Sequence, residues 1–131
     1  MAKVKWLDRR IAAPGPFLTL CLDQAEFDKA CSHIKIKNVK PFVNAGSAAT
    51  THFFHNDSKA GTVAIVCISD WAGRDPVEVA GLLVHEAVHV WQEYADGIGE
   101  KSPGVEQEAY AVQAIAQELM AEFARRMGAR K

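Results

Sequence analysis

The stretch of this chain with the clearest chemistry is His85-Glu86-Ala87-Val88-His89. On a helix, residues four apart stand one above the other, about 5–6 Å apart at Cβ. Two imidazoles at that spacing can converge on one tetrahedral metal ion, each bonding it at about 2.0–2.1 Å. Glu86 is not a ligand in this geometry; it leans over the ion's open position. A carboxylate there can take a proton from water whose pKa the ion has lowered. The plainer alternative is a pair of core histidines bonded to backbone carbonyls.

The flanking sequence has to supply the helix. Asp75 suits an N-cap, Pro76 a first turn, and Glu78 the positive end of the helix dipole. Leu82, Leu83, Val84, Val88, Val90 and Trp91 are apolar around much of the circumference, which predicts a buried helix over 75–95. Gly97 or Gly99 is available for a left-handed C-cap. A last helix is expected over 103–127, with Val105, Ala109, Val112, Ala116, Leu119 and Phe123 as its core stripe. Arg125, Arg126, Arg130 and Lys131 fall at its negative end, where cations are ordinary.

These two helices form a hairpin, so the second one offers a third ligand. Sixteen residues lie between His89 and Glu106, and eighteen between His89 and Glu108. Glu108 lines up with Val112, Ile115 and Leu119, an apolar row heading for the core. Glu106 lines up with Tyr110, Gln113 and Gln117, a polar row that matches His85, His89 and Gln92. Two polar rows facing each other across a metal favour Glu106.

Earlier in the chain, residues 3–13 suggest a short helix or arm, ended by Pro14-Gly15-Pro16. Residues 17–22 read as a buried strand. Asp23 caps a helix from Gln24 to about His33, with Glu26 completing a capping box. Lys35, Lys37 and Lys40 alternate with apolar residues, as in a surface strand or extended link whose lysines blunt a sheet edge. Ala45-Gly46-Ser47 is a turn. Strand 49–55, a turn over 56–61 and interior strand 62–68 make an antiparallel pair. His52 and His55, three apart, belong on opposite faces of their strand.

The resulting expectation is an α+β fold in one domain spanning 1–131. A small mixed or antiparallel sheet packs on the buried motif helix, which an antiparallel C-terminal helix follows. Composition is that of an ordinary globular chain, 49% hydrophobic and 24% charged with net charge −1. That balance gives no reason to expect nucleic acid or an anionic membrane as partner. The three cysteines are odd in number and lack a C-x-x-C spacing, so they read as small buried hydrophobes. No run reaches the roughly 20 apolar residues of a membrane helix, and no signal-peptide core follows Met1, so a cytoplasmic setting is the default.

The motif, followed by a glutamate on the next helix, resembles the gluzincin zinc metallopeptidases, the thermolysin-like group. Several branches of that group write the third-ligand helix as Glu-x-x-Ala-Asp or Glu-x-x-Ala-Asn; the matching residues are Glu106-Gln107-Glu108-Ala109-Tyr110. The resemblance implies zinc held by His85, His89 and Glu106, with Glu86 as general base in peptide-bond hydrolysis. It also implies an edge strand that pairs with an extended peptide or protein substrate, to be sought in 49–68. The overall size and the run His89-Val90-Trp91-Gln92 are similar to minimal members of the group, often phage- or prophage-encoded. The likeness covers about 49–127.

Two features depart from the group. Tyr110 replaces the Asp or Asn that normally orients a histidine ligand, which makes Tyr110 and Gln92 candidates to hold a ligand or an oxyanion. No second lobe supplies the usual oxyanion-stabilising His or Tyr, for which His52, His55 and Tyr94 are the stand-ins. A second reading keeps the fold without the reaction, as a structural or interaction protein, for instance in phage assembly, whose metal is structural or vestigial. An intact Glu86 argues against it, because a structural site needs no base.

Overall fold

Thr62–Ile68 is β-branched and apolar on both faces, and only the middle of a sheet between two layers can bury such a strand. The chain does this. A computed structural model describes residues 4–7, 17–37, 40–55, 62–97, 99–100, 102 and 104–129. In chain order it contains β1 (Phe17–Cys21), α1 (Gln24–His33), β2 (Ala49–His55), β3 (Thr62–Ile68), a 3₁₀ turn at Trp71–Gly73, α2 (Pro76–Gly97) and α3 (Val105–Ala129). The three strands form one mixed sheet in the order β1-β3-β2. β1 runs parallel to β3 with Leu18 opposite Ala64, and β2 runs antiparallel with Thr51 opposite Val66. The fold class is α+β, as the sequence predicts. Pro14-Gly15-Pro16, most of the 3–13 arm, the 56–61 turn, Arg130 and Lys131 lie outside the described residues.

Alternation along the strands sorts the core into two halves. Leu18, Leu20, Ala64, Val66 and Ile68 face α2 and α3, meeting Val79, Leu83, Ala87, Val90, Ile115 and Leu119. Val63, Ile65 and Cys67 face α1, meeting Phe27, Ala30 and Cys31. All three cysteines are buried free thiols. Burial first, then neighbouring charge, pushes the Cys31 thiol up to about 11, so it behaves as a hydrophobe.

Local chemistry sets the helix ends. Asp23 Oδ1 accepts the Glu26 N–H at 2.8 Å, while Glu26 Oε1 reaches back to the Leu22 N–H at 2.9 Å. The second half of the capping box therefore lands one residue earlier than its usual partner. α1 ends with the Ile36 N–H on the Cys31 carbonyl at 2.9 Å and Lys35 left-handed at φ 60, the Schellman arrangement. Of the two readings for 34–40, the strand is thus corrected: no strand occurs among the described residues from 34 to 48. Asp75 Oδ1 caps α2 through the Val77 N–H at 2.7 Å. α2 continues to Gly97, two residues beyond the expected end, and Gly99 takes the left-handed turn after it at φ 76. No described helix is long and apolar enough to cross a membrane.

Charged contacts tie the far end of α3 to the rest. Buried Glu122 takes a two-pronged bond from Arg125 (2.9 and 2.7 Å) and faces Lys5 at 3.4 Å, while Arg126 bonds Glu26 of α1. Burial pushes the Glu122 carboxyl up, but Arg125 and Lys5 outweigh it and hold it below its ordinary value. Arg125 and Arg126 therefore do more than complement a helix dipole.

Candidate metal centre

α2 is not buried all round, and the site depends on that. Its inward stripe includes Val79, Leu83, Glu86, Ala87, Val90 and Trp91. His85, His89 and Gln92 lie on an exposed edge of the helix beside that stripe. The expected burial of the motif thus holds for Glu86, which is 4% exposed, and Ala87, but not for the two histidines. Because α2 starts at a capped Asp75, held by Arg74 bonds to the Ser69 carbonyl and Glu78, its first turn is fixed relative to β3. The motif then falls opposite β2.

His85 Nε2 and His89 Nε2 are 3.2 Å apart, with the rings edge to face. Gln92 Oε1 accepts the His89 Nδ1–H at 3.0 Å. That bond puts the His89 proton on Nδ1 and leaves the Nε2 lone pair turned toward His85. Two nitrogens 3.2 Å apart and each about 2.0–2.1 Å from one ion would subtend about 100° at it. The pair therefore fits two corners of a tetrahedral site. Ligand atoms of His85, Glu86 and His89 all lie within 4.8 Å of one another, the one such group among the described residues.

Glu86 is held from the sheet. Thr51 of β2 donates its Oγ1–H to Glu86 Oε1 at 2.7 Å. Thr51 shares its strand face with Ala49 and Phe53, both packed on the α2 side of the core. The group opens into a cleft of about 520 Å³ between β2 and α2. One wall is Asn44, Ser47, Ala49, Thr50, Thr51 and Phe53; the other is His85, Glu86, His89, Gln92, Glu93 and Asp96. Among these lining residues three are carboxylates and none is a lysine or arginine, a charge balance that favours a cation.

The other expected residues lie elsewhere. The structure does not bring Glu106 to the histidines: it is exposed in the first turn of α3 and outside both the cleft lining and the 4.8 Å group. Glu108 is bound to Trp91, whose Nε1–H it accepts at 2.9 Å. Tyr110 is 67% exposed and also away from the cleft. The reason is the docking direction of α3. It lies against Val84, Val88 and Trp91, so Gln113 and Gln117 border a groove there with Gln92, one helix edge away from the cleft. His52 and His55 take opposite strand faces as expected. His52 is buried on the α1 side, stacked on Phe27 with ring centroids 4.5 Å apart and bonded to the Phe42 carbonyl. His55 pairs with Glu93 at 3.3 Å and with Thr62 Oγ1. Tyr94 packs against Trp91 and does not line the cleft.

Thr51 is the residue that sequence reasoning missed. Alternation along the expected strand 49–55 places it between Ala49 and Phe53 on one face. Nothing in a strand pattern says that this face meets the motif helix. No family model, curated protein or solved structure matches the chain.

Proposed function

We propose that this protein is a zinc-dependent peptidase whose metal seat is His85 Nε2 and His89 Nε2 and whose general base is Glu86. The observation that carries the reading is the convergence of the two Nε2 atoms at 3.2 Å beside a buried carboxylate, at the floor of a cleft along a sheet edge. Two imidazoles with carboxylates nearby suit zinc best among the common divalent ions. Zinc held there supplies Lewis acidity, lowering the pKa of water and polarising a carbonyl. Glu86 does the proton work. Its Oε1 is engaged by Thr51, so Oε2 takes the proton from the attacking water as the new C–O bond forms. The same oxygen then gives that proton to the amide nitrogen as the C–N bond breaks.

β2 supports an extended peptide as the substrate. It is an edge strand, and the Ser69 N–H bonds the Ala48 carbonyl, so the ladder residues 50, 52 and 54 point their backbone groups at β3. By alternation, the N–H and C=O of Ala49, Thr51 and Phe53 point outward, toward the position of an added strand. Glu106, favoured as third ligand by helix periodicity and by the gluzincin resemblance, lies outside the cleft lining.

Elemental analysis of purified protein and variants is the test. One zinc per chain is expected, lost in His85→Ala and His89→Ala and retained in Glu86→Gln, which no longer cleaves peptides. Zinc lost in Glu106→Ala and kept in Glu108→Ala would assign Glu106. An absence of zinc after incubation with the ion, or a Glu86→Gln protein that still cleaves, would overturn the reading. The non-catalytic scaffold would then be the better account.

A further inference from the structure

We infer that Thr51 is a positioning residue for Glu86, and that it couples occupation of the sheet edge to the readiness of the base. This rests on the peptidase reading above. Three observations meet at this one residue. Its hydroxyl donates to Glu86 Oε1 at 2.7 Å. Its backbone groups belong to the outward set at the edge that no described strand covers, because the Ala48–Ser69 bond fixes the alternation. Its side chain and Glu86 both line the cleft that holds the histidine pair.

A carboxylate on a helix has freedom about three side-chain torsions, and burial alone does not choose among its rotamers. A hydroxyl donor at 2.7 Å does choose. It occupies one oxygen and turns the other toward the cleft, where a proton must be taken and returned. A charge-assisted bond of this kind is short and strong and sets direction as well as distance. Because the donor sits on the strand that an extended peptide would join, the scissile carbonyl and the base are registered to the same residue. Pairing with the Thr51 backbone fixes where the peptide lies; the Thr51 hydroxyl fixes where Oε2 lies relative to it. Misplacement of a reacting group by about 1 Å costs on the order of 100-fold in rate, so this registration is worth holding.

The division of labour makes a specific forecast. Removing the hydroxyl without changing shape or backbone should slow turnover and leave peptide binding alone. Thr51→Val and Thr51→Ser would be compared with the native chain, zinc-loaded, on a mixture of unstructured peptides read by mass spectrometry, with kinetics on the best-cleaved peptide. In Thr51→Val, kcat should fall about 10- to 100-fold, as for loss of an outer-shell partner, with KM within about twofold. Thr51→Ser, which keeps the donor, should restore most of kcat. In parallel, the side-chain carboxyl ¹³C signal of Glu86 would be followed in metal-free protein, assigned by its loss in Glu86→Gln. That signal should move in Thr51→Val and return in Thr51→Ser. A Thr51→Val enzyme with native kcat would overturn the inference while the peptidase reading stands. So would an equal fall in both variants. If the carboxyl signal responds but the native zinc-loaded chain cleaves no peptide, the peptidase reading fails and the positioning role falls with it. The hydrogen bond alone would then remain.

Discussion

The surroundings of His52 change its acid–base behaviour. Burial under α1 lowers its pKa below the ordinary 6.5; the bond to the Phe42 carbonyl opposes this, and the charge on Lys40 adds to the lowering. The folded protein thus holds His52 neutral over a range where the unfolded chain binds a proton. The associated stability is complete above about pH 6.5 and is lost as pH falls from there toward the lower folded value. Urea midpoints measured between pH 8 and pH 5 should therefore drop, and His52→Gln, which keeps a donor for the Phe42 carbonyl without a charge, should flatten the drop. An equally steep profile in that variant would remove His52 as the cause. The three chemical residues of the site were legible because i, i+4 spacing is a local property of a helix. Thr51 was not, since its contact with Glu86 spans 35 positions. Glu106 shows the complementary limit. Periodicity groups Glu106 with Tyr110, Gln113 and Gln117 as one row, but of these only Gln113 and Gln117 border the α2–α3 groove with Gln92, while Glu106 and Tyr110 are exposed outside it. It does not say which flank of α2 that row will meet.

Element boundaries followed from capping chemistry wherever a cap was present. Asp23 and Asp75 begin α1 and α2 where the sequence places them. The misreading came at Lys35-Ile36-Lys37, where charged and apolar residues alternate with the period of a strand. Lys35 and Ile36 instead close helix α1 through their N–H groups, and Lys35 occupies a left-handed position that glycine fills at lower cost. Relief of that conformation should make Lys35→Gly more stable by about 1 kcal/mol, seen as a higher urea midpoint with unchanged slope. A midpoint at or below the native one would mean that Lys35 is not strained. The same logic explains why β3 was recognisable as interior. A strand apolar on both faces has nowhere else to go. Its second neighbour was not predictable, because parallel pairing with β1 leaves no turn signature in either strand.

At the scale of the whole molecule, the sequence locates the site-bearing half better than the other half. β2, β3 and α2 follow one another along the chain and carry every residue of the His85–Glu86–His89 group together with Thr51. α1 covers the opposite face of the same sheet, and β1 adds the strand on the far side of β3. The mixed topology gives this division a consequence in time. The β2–β3 pair closes across 7 positions (55 to 62), whereas β1 meets β3 across 46 (17 to 63). Loop-closure entropy makes the longer closure costlier by about 1.5–2 kcal/mol, so the hairpin and its helix should assemble first and β1 should dock late. Leu18, fully buried in β1, reports on that order. Leu18→Ala should lower stability by about 2–5 kcal/mol almost wholly through faster unfolding, with the refolding arm of a stopped-flow chevron little changed. A slowed refolding arm would place β1 in the nucleus instead. Late docking of β1 implies a transient in which the histidine pair has already met while one edge of β3 is still bare, and an ion captured at that moment would stabilise the hairpin and its helix before the sheet is complete.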